Sequence, residues 1–116
     1  MDLEKIFEGA CQTVERLNLI PYVRIERARS EQIVSKFRDG IVCYLHQDGN
    51  HSAEVSCQEV LHWAPKIKKG GLWLFDDAGW ETLQPAQGLL TDKGFTLKEH
   101  HDATEERSAW RVYVAP

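Results

Sequence analysis

The chain has little of what would move it away from an ordinary soluble domain. It lacks a basic excess: 14 Lys and Arg stand against 18 Asp and Glu, a net charge of −4. Its only basic cluster is the short Lys66–Lys69 segment, which argues against nucleic acid or an anionic membrane as a partner. No apolar run is long enough to span a bilayer, and the N-terminus lacks the apolar core of a signal peptide. Paired cysteines are also lacking. Cys11, Cys43 and Cys57 make an odd number without CxxC spacing, so neither a disulfide framework nor a structural zinc site is expected. The cytoplasm is the expected compartment. There is no internal repeat and no low-complexity segment. The 116 residues, 42% of them hydrophobic, make one domain over residues 1–116, with chain enough for one core.

The chain is organised around Ile41–Asp77, where two apolar runs each end on acids and a helix-length segment lies between them. This is the grammar of a βαβ unit. Upstream, Asp2 caps a helix in which Leu3, Ile6, Phe7, Ala10, Cys11, Val14 and Leu17 recur at helical spacing. Tyr22–Arg27 alternates and predicts a short strand, and Ser30 caps a one- or two-turn helix carrying Ile33, Val34 and Phe37. Ile41–His46 reads as a strand buried on both faces. Ser52 opens the next helix, with Cys57, Val60, Leu61 and Ala64 as its apolar stripe, and Pro65 with Lys66–Lys69 closes it before the strand Leu72–Phe75. Pro85 begins a helix that runs to about Lys93 and stops at Gly94. Phe95–Glu99 and Trp110–Val114 form a closing antiparallel hairpin with a long loop over His100–Ser108. The order α-β-α-β-α-β-α-β-β predicts a three-layer α/β domain, its strands mostly parallel and its helices on both faces of the sheet.

Ligands of such sheets sit at the carboxyl ends of the strands. Asp48, Asp76 and Asp77 would converge there, and three close carboxylates call for a cation or a proton. Mg²⁺ with oxygen ligands suits them, and His51 on the same rim is a candidate proton acceptor or substrate contact. The bland readings are an acid capping the following helix and Asp48-Gly49 as a plain turn. His46 and His62 read as structural, and Trp63, Trp73 and Trp110 as core. His100-His101 is a poor metal pair, since neighbours on a strand point to opposite faces. Trp80, in the loop after the acids, would floor a pocket or cover the sheet end.

YLHQDGNHS, a helix, and then WAPKIKKGGLWLFDD resembles the back half of class I S-adenosylmethionine-dependent methyltransferases. The likeness is to the group with an IDGxH strand end and a lkpGG…fDD strand, which includes metal-dependent sugar O-methyltransferases. FEGACQTVERLNLIPYVRIERARSE resembles that family's preceding helix and third strand, so the likeness covers nearly the whole chain. It implies a truncated Rossmann-like sheet. It also implies that Asp48, Asp76 and Asp77 bind Mg²⁺, which orients substrate hydroxyls and helps to form the attacking alkoxide. The catalytic candidates are Asp48 and, from its place on the rim, His51.

The sequence also departs from that family. No GxGxG occurs, the acid expected to hold the cofactor ribose is absent, and Ala28-Arg29-Ser30 stands where GDS is usual. The chain resembles a methyltransferase without its first two strands. It is expected to keep the metal and substrate half of the site, to lack the usual S-adenosylmethionine half, and to bind a small polar molecule. The alternatives are a metal-dependent O-methyltransferase active as an oligomer or with a partner, and an interaction module without chemistry. Loss of the first strand would bare one edge of Ile41–His46. That predicts a homo-oligomer through the sheet edge, or a shift of Tyr22–Arg27 onto it.

Overall fold

The computed structural model describes residues 1–102 and 109–116. Its elements are α1 (Leu3–Arg16), α2 (Ser30–Ile33), β1 (Val42–Gln47), α3 (Ala53–Trp63), β2 (Ile67–Asp76), α4 (Gln84–Asp92), β3 (Thr96–His101) and β4 (Trp110–Val114). The strands form one sheet in the order β1-β2-β4-β3. β1 and β2 run parallel, joined by α3, while β4 is antiparallel to both β2 and β3. The α/β class and truncated Rossmann-like architecture stand. The sheet is mixed, with one parallel pair in place of a mostly parallel set.

Local chemistry explains the helix starts. The Asp2 carboxylate accepts from the amides of Glu4 and Lys5, and Ser52 Oγ accepts from the Val55 amide at 3.1 Å. Pro85 sits in the first turn of α4, where its missing N–H has no helical partner to lose. Gly94, at φ +90°, turns the chain out of α4. β2 begins earlier than its apolar run. Ile67 is buried and pairs with Val42, and Gly70 at φ +75° accommodates the irregularity that follows. The buried face of α3 is also rotated from the expected stripe. Ser56, Val60 and Trp63 face inward, while Leu61 is exposed. Ser56 tolerates the core because its hydroxyl donates to the Ser52 carbonyl at 2.8 Å.

Burial alternates along β2, and this locates the core. Trp73 and Phe75 are buried on one face, together with Val60 and Trp63 of α3, Ala86 and Leu90 of α4, and Tyr113 of β4. On the other face Leu72, Leu74, Val112 and Trp110 remain half-buried and Tyr44 is exposed. A helix laid across that face would bury them. Helices on both faces, as the sequence predicts, are therefore not found among the described residues: α3 and α4 share one face, and α2 packs beside α3. Trp110 belongs to the bare face and not to the core.

The N-terminal region accounts for the difference. Tyr22–Arg27 forms no strand, because no ladder partner lies beside it, and Tyr22 and Val23 are exposed. The segment is tied to α1 instead, by the Arg27–Glu4 ion pair and by the Arg27 guanidinium 5.3 Å over the Phe7 ring. α1 is amphipathic yet buries no residue, with Leu3 64% and Ile6 55% exposed. The radius of gyration, 15.2 Å, exceeds the roughly 13 Å of a compact domain this long. No helix is long and apolar enough to cross a membrane among the described residues.

Candidate metal centre at the strand ends

The parallel register sets His46 beside Leu74 and Gln47 beside Phe75, so β1 and β2 end level. Asp48 and Asp76 are brought together just beyond. One donor atom from each of His46, Asp48 and Asp76 lies within 4.8 Å of the others. Asp76 is the fixed member. Its Oδ1 accepts the Asp77 amide at 2.9 Å, and its Oδ2 lies 3.2 Å from His46 Nε2. Two carboxylates and an imidazole are a donor set for a divalent ion, and the nitrogen suits Mn²⁺ or a later transition metal better than Mg²⁺.

Asp77 takes a different course. Its φ of +50° is left-handed, a conformation that costs a non-glycine residue about 1 kcal/mol or more. The turn is held from outside. The Gln84 and Gln87 side-chain amides both donate to the Ala78 carbonyl, at 2.8 and 2.9 Å, and the Ala78 amide donates to the Ala109 carbonyl at 3.0 Å. The reversal swings the Asp77 carboxylate to His51, 2.7 Å from Nε2. Trp80 packs against His51 with centroids 4.6 Å apart and the rings tilted at 48°, and its buried indole N–H has no partner among the described residues. Gln87 is held in turn, its carbonyl accepting from Tyr113 Oη at 2.9 Å. Burial pushes the Tyr113 phenol above its ordinary pKa of 10.0, partly offset by Arg111 beside it.

Two hollows flank this rim. A groove of about 520 Å³ runs along the outer edge of β1, and its walls include Phe37, Tyr44, Trp63 and Asp48. At its floor Trp73 Nε1 donates to Gln47 Oε1 at 3.0 Å and Gln47 Nε2 donates to Glu59 at 2.7 Å. A smaller hollow of about 330 Å³ opens on the bare face, between His46, Asp76, Glu99 and Trp110. His46 lines both.

The residues singled out in the sequence thus fall into two neighbouring sets. Asp48 and Asp76 meet, while Asp77 and His51 pair with each other. His46, read as structural, joins the first set. Its signal was its place two residues before Asp48, since alternate residues of a strand share a face. His100 and His101 belong to neither: His100 Nδ1 is 3.1 Å from Asp102, and His101 stacks on Trp110. Of the predicted hairpin loop, residues 103–108 lie outside the described residues.

Comparison with known proteins gives one match. A family model described as a methyltransferase domain matches residues 4–78, from α1 to just past Asp77. No curated protein and no solved structure matches the chain. The matched stretch is well over half of the 116 residues and contains His46, Asp48, His51, Asp76 and Asp77. This chain belongs to the methyltransferase domain family.

Proposed function

We propose that this domain holds a divalent cation through His46, Asp48 and Asp76 and presents a small hydroxyl-bearing ligand to it, without transferring methyl groups on its own. The approach of the three donor atoms to within 4.8 Å carries the reading. A bound cation supplies Lewis-acid polarisation of a ligand hydroxyl. The chain's own residues supply the rest. Asp76, oriented by the Asp77 amide, fixes the inner side of the site, and Asp48 closes it from β1. His51, its Nε2 held by Asp77, is the group placed to take up a proton. The usual S-adenosylmethionine cradle does not fit the residues present. The turns after the two parallel strands read Asp48-Gly49-Asn50 and Asp77-Ala78-Gly79, and neither is the repeated-glycine turn that lets a backbone approach a cofactor.

Titration calorimetry with Mn²⁺ and Mg²⁺ tests the proposal. Both ions should bind. Asp76→Asn should weaken both by tenfold or more, and His46→Ala should weaken Mn²⁺ more than Mg²⁺. Asp77→Asn should leave metal affinity within about threefold of the original. Absence of binding by either ion overturns the reading. The same titrations with S-adenosylmethionine probe the second reading, an O-methyltransferase completed by another chain, which the His51–Asp77 pair favours. Binding of that cofactor by this chain alone would count against the proposal.

A further inference from the structure

We infer that the unpaired edge of β1 is a dimer interface, in which two copies join antiparallel about a two-fold axis at Cys43. The inference does not depend on the metal site. A β carbon placed on Gly71 would lie 3.0 Å from the Cys43 carbonyl oxygen, so that carbonyl points toward β2. Backbone direction alternates along a strand, so Cys43, Leu45 and Gln47 bond toward β2. Val42, Tyr44 and His46 then turn their N–H and C=O groups to the open edge. Nothing among the described residues pairs with that edge. Antiparallel strands oppose outward-facing residues to outward-facing residues. A symmetric pair of β1 strands must therefore centre on a residue, not between two.

Charge favours a centre near the start of β1, at Cys43. Arg38 precedes β1 and Asp48 follows it. Both are exposed, and neither has an ion-pair partner among the described residues. An antiparallel arrangement lays the basic end of one strand against the acidic end of the other. Centring on Cys43 sets Val42 opposite Tyr44 and brings the basic end of each copy, Arg38 just before the Asp39–Gly40 turn, toward Asp48 of its mate. The second copy thus fits the edge by backbone parity and by charge, and it brings a cation to the rim of each site. The groove along β1, walled by Phe37, Tyr44 and Trp63, receives the mate's side chains.

Light scattering over a concentration series, in chelator so that metal plays no part, should show a dimer that dissociates on dilution. Tyr44→Pro removes an outward N–H without touching the β1–β2 ladder and should give a monomer. Arg38→Glu should raise the dissociation constant roughly tenfold or more, and adding Asp48→Arg to it should restore the dimer. Opposed Cys43 residues would have Cα atoms about 4.5 Å apart, within disulfide reach. Diamide, which takes up the two thiol hydrogens, should then link the copies through Cys43, and Cys43→Ser should abolish the link while Cys11 and Cys57 remain. A monomer at every concentration overturns the inference, as does a dimer indifferent to both Tyr44→Pro and Arg38→Glu. Should Tyr44→Pro fail to fold, the charge reversal and the cross-link decide alone.

Discussion

Asp76 and Asp77 are adjacent in sequence and serve different neighbours, because one backbone angle separates them. Asp76 ends an extended strand and faces His46, while Asp77 reverses the chain and faces His51. The reversal depends on a relay from the core: Tyr113 to Gln87, and Gln87 to the Ala78 carbonyl. Tyr113 makes that relay sensitive to alkali. A phenol whose folded pKa lies above its unfolded value adds stability that is fully present below about pH 10. That stability is lost as pH rises through the folded pKa. Urea unfolding should therefore show stability falling as pH rises above about 10. Tyr113→Phe should start about 1 kcal/mol lower and fall less over the same range. Equal slopes in the two proteins would show that Tyr113 titrates alike folded and unfolded.

At the scale of elements, α1 is the exception. Its cap and its periodicity make it a helix, but formation of a helix and burial of its apolar face are separate matters. Leu3→Ser or Ile6→Ser should change unfolding free energy by less than about 0.5 kcal/mol, against about 3 kcal/mol for Leu90→Ala in α4. A loss in α1 as large as that in α4 would show that it packs on the core. The same distinction explains what could be read from the chain. The elements from Ile41 onward were legible because Ser52, Pro85 and Gly94 act through local backbone chemistry that sequence displays, as Asp2 does for α1. Tyr22–Arg27 misled because alternation shows only that a segment could be a strand, and a ladder needs a neighbour that sequence does not supply. Asp48 and Asp76 were legible from strand-end position. The separation of Asp77 was not, since it rests on a left-handed turn clamped by two glutamines from α4. His46 joins the candidate site only in the structure, where register sets it beside Leu74 and its imidazole lies 3.2 Å from Asp76.

Among the described residues the sheet carries its packed helices, α3 and α4, on one side. Pairing at β1 about an axis normal to the sheet would lengthen the sheet without covering its second face, so the two bare faces would lie side by side. Each shows half-buried Leu72, Leu74, Val112 and Trp110 beside exposed Tyr44. Contiguous apolar surface of this kind is what fluorescent hydrophobic dyes report, and such a signal is commonly taken to mean that tertiary packing is lost. Here the fully folded protein should enhance anilinonaphthalene sulfonate emission while keeping a near-ultraviolet circular dichroism spectrum and a cooperative unfolding transition. Leu74→Lys should dim the dye and leave the dichroism unchanged, and a native protein that leaves the dye dark would show that the face is closed. In a dye-based melting screen this domain would register as unfolded while still native.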